Sequence, residues 1–81
     1  MSDIYITPVS PTPRQVGRRI RALRQGAGLK QSDVAKRAKI TREYLNRLES
    51  GKHDPTFGTV TRLARALGVK LTAFLGAEEG G

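Results

Sequence analysis

Between Gln31 and Glu49 the chain reads QSDVAKRAKITREYLNRLE, and this stretch leaves little freedom in what the protein can become. Val34, Ala35 and Ala38 recur at the spacing of a helix buried on one side, and Leu45 and Leu48 resume the pattern after a break. The break falls at Lys39 and Ile40, where a tight turn must join two short helices. Ile40 continues the apolar set inward. Arg42, Glu43, Asn46 and Arg47 are left on an outward face of the second helix. Helices this short are not stable alone, so the rest of the chain must supply the core they pack against.

The flanking sequence does so with further helical patterns. Thr12 is an N-cap, Pro13 sits at the first helical position, and Gln15 completes a capping box. Val16, Ile20 and Leu23 form the buried stripe of helix 1, with Arg14, Arg18, Arg21 and Gln25 off it. Gly26 and Gly28 stop this helix, and Leu29 re-enters the core. Helix 2 runs from about Gln31 to Ala38. Asp33 suits its positive end, whereas Lys30 at the N-cap has no acceptor for the free N–H groups. Thr41 caps helix 3, Tyr44 should bury its ring while its hydroxyl finds a partner, and Ser50-Gly51 ends the helix. Thr56 caps helix 4, whose stripe is Phe57, Val60, Leu63, Ala64 and Leu67, and Gly68 closes it. Leu71, Phe74 and Leu75 belong to a short fifth helix. Their apolar bulk exceeds what its few turns can cover, which points to a partner surface.

The expected fold class is therefore all-α: an arm at 1–13, one five-helix domain at 14–75, and a tail at 76–81, GAEEGG, disordered by composition. Three of the four prolines lie in the arm and exclude a helix there. Ile4 and Ile6 can pair as a short strand with Tyr5 on its other face. The arm either stays mobile or packs on a second subunit or on DNA.

At 81 residues the chain holds one domain at most, with a marginal core. It has no cysteine and one histidine, His53, which excludes disulfide, thiolate and His-rich metal sites. Asp33, Glu43, Glu49 and Asp54 show no paired-acid logic, and no nucleophile stands beside a base. No enzyme activity and no cofactor are expected. Gly26-Ala27-Gly28 follows a helix and lacks the third glycine of a dinucleotide loop, and Gly51-Lys52 lacks the rest of a P-loop. No apolar run approaches the roughly 18 residues that cross a bilayer, and no secretory signal is visible. The chain reads as soluble and cytoplasmic. Its charge is uneven. Of a formal +8, the segment from Arg14 to Lys52 carries 12 basic and 3 acidic residues, +9, which leaves −1 for everything else. That excess fits a polyanionic partner or a solvated surface. A membrane surface fits less well, because every apolar stripe is needed internally.

The order GLKQSDVAKRAKITREYLNRLESGKHDPTFGTVTRLARALGV closely resembles the Cro/cI-type phage-repressor family, the XRE-like helix-turn-helix domains. Gly28-Leu29, Gln31, Ala35, Leu45 with Leu48-Glu49, Gly51, Pro55, and Leu63-Ala64 leading to Ala66-Leu67-Gly68-Val69 carry the resemblance by their joint spacing. It covers residues 14–75. It implies a compact lambda-repressor-like fold with helices 2 and 3 as the helix-turn-helix. It also implies a sequence-specific regulator of transcription, most often a repressor, bound to double-stranded DNA. Such a protein binds a palindromic operator as a homodimer, with half-sites about 10 base pairs apart.

On the matching positions, helix 3 would enter the major groove, with Thr41, Arg42, Glu43 and Arg47 at base edges. Arg42 and Arg47 would read guanines, and Glu43 would accept from a cytosine amino group or orient an arginine. Lys30, Gln31, Asn46, Lys52 and His53 would contact phosphates, with Gln31 also bracing helix 3. Glu49 matches a position that pairs with an arginine of helix 1, here Arg24. The dimer surface would come from Gly68 to Leu75, together with the arm. Two positions depart from the family: Lys39 stands where glycine is usual, in a turn needing positive φ, and Lys30 replaces a small capping residue. Other readings stay open. The domain could be the antitoxin of a toxin–antitoxin pair, with a small toxin as partner, or a protein-interaction module whose helix 3 meets an acidic protein. Arg42, Glu43 and Arg47 could also form an ordinary solvated face.

Overall fold

The computed structural model describes residues 11–75. The readings of a strand at Ile4–Ile6 and of a tail at 76–81 lie outside the described residues. Five helices follow in order: α1 (Pro13–Gly26), α2 (Gln31–Ala38), α3 (Arg42–Glu49), α4 (Phe57–Leu67) and α5 (Thr72–Leu75). No strand occurs among the described residues. Local hydrogen bonds explain the starts. The Thr12 hydroxyl accepts from the Gln15 N–H at 3.2 Å, and the Gln15 side chain accepts from the Thr12 N–H at 2.8 Å. Thr41 and Thr56 accept from the N–H groups of Tyr44 and Thr59 at 3.0 and 3.1 Å. At α2 only the return half of such a box forms. The Asp33 carboxylate accepts from the Lys30 N–H at 3.1 Å, while the Lys30 ammonium can only donate.

The first four helices end alike. The residue after the last helical turn has positive φ, and its own N–H and that of the next residue bond back to carbonyls of that turn. In α1 the pair is Gly28 to Gln25 and Leu29 to Arg24; in α3 it is Gly51 to Leu48 and Lys52 to Arg47; in α4 it is Gly68 to Arg65 and Val69 to Ala64. In α2 the Lys39 N–H donates to Lys36 and the Ile40 N–H to Ala35. Three of these positive-φ residues are glycines, at φ 72°, 77° and 71°; the fourth is Lys39 at φ 60°. A residue with a Cβ pays about 1–2 kcal/mol there, partly offset by the lower entropy of its unfolded chain. Lys39→Gly is therefore expected to raise stability by about 0.5–1 kcal/mol, a few degrees in Tm. Thermal and urea unfolding would measure it, and Lys39→Ala should show no such gain.

Val16, Ile20, Val34, Leu45, Leu48, Val60, Leu63 and Phe74 meet in one buried cluster to which every helix contributes. Each fully buried side chain of this size is worth about 1.5–3 kcal/mol. Two expectations are corrected. Phe57, placed in the stripe of α4 by its spacing, is 73% exposed, because it opens the helix and projects past the core that Val60 and Leu63 reach. Phe74, counted toward a partner surface, is 0% exposed. The chain reverses after Gly68 and folds α5 against α1, where Arg19 Nη1 donates to the Phe74 carbonyl at 2.8 Å. Tyr44 is half-buried against the core, and no hydrogen bond joins its hydroxyl to another described residue. Arg62 on α4 donates from Nε to the Ala38 carbonyl at 3.0 Å. It thus satisfies a free carbonyl at the end of α2 beside the turn into α3. No helix among the described residues is long and apolar enough to cross a membrane.

Candidate nucleic-acid interface

The outward face of α3 follows from its inward one. With Leu45, Leu48 and Glu49 buried, helical geometry turns Arg42, Glu43, Asn46 and Arg47 to the opposite side, and all four are exposed. Together with Lys52 from the following loop they line one shallow hollow. Arg42 and Glu43 come within 3.9 Å with side chains 55% and 75% exposed. A pair so open to water is worth at most about 1 kcal/mol, so it does not tie up either group. Thr41 is exposed at the head of the helix, and its hydroxyl oxygen is committed to the Tyr44 N–H. Its proton remains free to donate.

The flanks are fixed by backbone devices. Gly51, at φ 77°, turns the chain so that Lys52 and His53 follow directly on α3, and both are exposed. The His53 ring meets the Tyr44 ring edge-on, with centroids 5.1 Å apart and planes at 76°, which ties this loop to α3. On the other flank Lys30 is exposed and Gln31 half-buried at the start of α2.

Behind this face lies a polar network. Arg24 donates from Nε to Glu49 Oε2 at 2.6 Å, from Nη2 to Glu49 Oε1 at 3.0 Å, and from Nη1 to the Leu29 carbonyl at 2.9 Å. Gln31 Nε2 donates to the same Glu49 Oε1 at 3.0 Å. The Arg24 and Glu49 side chains are only 11% and 3% exposed. One buried carboxylate thus joins α1, α2 and α3, and it holds Gln31 in a fixed place beside the exposed face.

Two positions that matter here went unread in the sequence. Gly17 is buried in α1, and a Cβ built on it would lie 2.2 Å from the Leu48 carbonyl oxygen and 2.9 Å from that of Glu49. The only signal was a glycine inside a helix of good formers, beside the apolar stripe. Arg62 gave none, because a cation five residues before the end of α4 looks like any solvated one. Among the described residues no group of three or more acidic, histidine or cysteine side chains could hold a metal ion.

Residues 15–74 match the model of a family described as helix-turn-helix domain. The chain belongs to this helix-turn-helix domain family. Its relatives are regulators rather than enzymes. The helix-turn-helix domain is 36% identical over 63 residues to the immunity repressor protein of Bacillus phage phi105, covering 78% of this chain and 44% of the repressor. The chain thus spans less than half of that relative. It is 43% identical over 54 residues to an HTH-type transcriptional regulator of Sinorhizobium fredii, covering 67% of this chain and 70% of the regulator. Among solved structures, the restriction-modification controller protein C.AhdI from Aeromonas hydrophila superposes with a TM-score of 0.75 at 27% identity. That match covers 76% of this chain and 94% of the controller.

Proposed function

We propose that this domain binds double-stranded DNA sequence-specifically and regulates transcription, as a repressor acting as a homodimer on a palindromic operator. The observation that carries the reading is the hollow on α3. Arg42, Arg47 and Lys52 share it with Asn46 and Glu43, on a short helix braced from behind by a buried carboxylate. Cations alone would bind any polyanion, whereas a carboxylate among them repels phosphate and so favours reading over mere attraction. Arg42 and Arg47 reach base edges, with Thr41 and Glu43 beside them. Lys30, Gln31, Asn46, Lys52 and His53 hold the backbone on either side. The similarity to a phage immunity repressor supports repression as the outcome. With Phe74 withdrawn into its own core, the dimer face on the α5 side is left to Leu71 and its surroundings.

Two variants test the division of labour. Selecting bound sites from random duplexes should return a two-fold symmetric consensus. Arg47→Ala should lose about 1–3 kcal/mol of discrimination at one base pair per half-site while nonspecific binding persists. Lys52→Ala should weaken all sequences about equally and flatten the dependence of log K on log salt by about 0.9. An unchanged consensus for Arg47→Ala would remove that residue from the base-reading set. A flat salt dependence of the unaltered domain would turn the reading toward an acidic protein partner.

A further inference from the structure

We infer that the DNA-binding surface continues onto α1, where Arg14 and Arg21 contact phosphates beyond those held by Lys52 and His53. The inference rests on the DNA-binding reading above. α1 carries five arginines and no acid. Two of them work inside the fold: Arg24 holds Glu49, and Arg19 donates to the Phe74 carbonyl. Arg14, Arg18 and Arg21 are exposed and make no ion pair with a described residue.

Position singles out two of these three. Arg14 and Arg21 lie three residues before and four after Gly17, so they share its side of the helix. Gly17 is the point at which α1 rests on the last residues of α3, close enough that its Cβ would meet the Leu48 and Glu49 carbonyl oxygens. The two arginines therefore border the seam between α1 and α3. Arg14 also adjoins the loop. A Cβ on Gly51 would lie 2.9 Å from the Arg14 Cα, which puts Arg14 against the residue preceding Lys52. The cationic surface thus passes from the hollow on α3, through Lys52, to Arg14, and along the seam to Arg21.

Charge placement supports a polyanion there. None of the four acids among the described residues pairs with Arg14, Arg18 or Arg21. Asp33 serves the Lys30 N–H, Glu49 is buried, Glu43 faces the hollow on α3, and Asp54 lines a separate depression with Pro11, Val16 and Phe57. Arg14 stands in the first turn of α1, at the positive helix end, where an acid is favoured and a cation disfavoured. Its charge there works against local stability. Continuity with the α3 hollow makes the phosphate backbone of the same duplex the occupant, rather than a separate acidic protein.

The test measures binding of the unaltered domain, Arg14→Gln, Arg21→Gln, the double variant and Arg65→Gln to one mixed-sequence duplex. The duplex extends well past the footprint, and binding is followed over a range of salt. Each lost phosphate contact should reduce the magnitude of the log K versus log salt slope by about 0.9, and the double variant should lose about 1.8. Arg65, exposed on α4, controls for net charge and should leave the slope unchanged. Arg14→Gln should unfold at the same temperature or higher, because a cation leaves the positive helix end. A double variant that keeps the unaltered slope overturns this inference and leaves the DNA reading standing. An equal loss for Arg65→Gln overturns it as well, by reducing the effect to net charge. No binding to any duplex by the unaltered domain overturns both.

Discussion

Gly17→Ala is expected to be among the most damaging single-methyl changes in this fold. The added Cβ would lie 2.2 Å from the Leu48 carbonyl oxygen and 2.9 Å from that of Glu49. Both are backbone atoms of α3, so no side chain can rotate away and the two helices must separate. Overpacking of this kind costs about 1–3 kcal/mol and sometimes more. The better helix propensity of alanine returns only about 0.5–1 kcal/mol. A net loss of about 1–2 kcal/mol corresponds to roughly 5–15 °C in Tm for a domain of this size. Gly26→Ala supplies the contrast within the same helix. Nothing lies within 4 Å of its Cβ, so it should be neutral or slightly stabilising. Thermal unfolding of the two variants side by side checks the sign at each site. If Gly17→Ala unfolds like the unaltered domain, α1 and α3 are not packed through that glycine. The loss should also reach binding, because α3 is the helix displaced.

Much of the architecture was legible because three of the five helices carry their own punctuation. Thr12, Thr41 and Thr56 announced three starts through a hydroxyl that can reach a free N–H. Gly28, Gly51 and Gly68 announced three ends through a positive φ. Apolar spacing placed Ile20, Val34, Leu45, Leu48 and Leu63 in the core. What periodicity cannot supply is which end of a stripe the neighbouring helices cover. Phe57 keeps phase with Val60 and Ala64, yet it stands at the first turn of α4, beyond the reach of the packed layer. Phe74 looked superfluous on a helix of four residues, because nothing local shows that the chain doubles back to lay α5 on α1. Gly17 was silent for a similar reason. Spacing records where a side chain is needed, and here the requirement is that none be present. In the candidate interface, the outward set Arg42, Glu43, Asn46 and Arg47 followed from the inward set. The place of Gln31 was legible only in part, since its hold on Glu49 depends on three helices meeting.

The largest stability change is expected at that meeting point. Glu49→Ala leaves the Arg24 guanidinium, whose side chain is 11% exposed, without its carboxylate. Arg24→Ala leaves a carboxylate 3% exposed with Gln31 as its remaining donor. Removing one partner of a buried pair costs about 3–5 kcal/mol, because the other charge stays desolvated. A domain of ordinary stability holds only about 5–15 kcal/mol in total. Either variant should therefore lose a large share of that total and unfold roughly 15 °C or more below the unaltered domain. The exposed Arg42–Glu43 pair, at 3.9 Å, should by contrast cost about 1 kcal/mol or less when broken. Arg24→Met with Glu49→Leu separates the charge from its role. Replacing both ions with apolar groups of similar volume is often neutral or stabilising, so the double variant should recover most of the stability lost by either single change. It should not recover binding to the same extent. Gln31 Nε2 loses the Glu49 oxygen it meets at 3.0 Å, and its amide is no longer held beside α3. Urea unfolding and duplex affinity on the same four proteins would read both effects. Stability and affinity restored together would reduce the network to a structural tie; stability restored with affinity still weakened would make Glu49 the residue that positions Gln31 for the phosphate backbone.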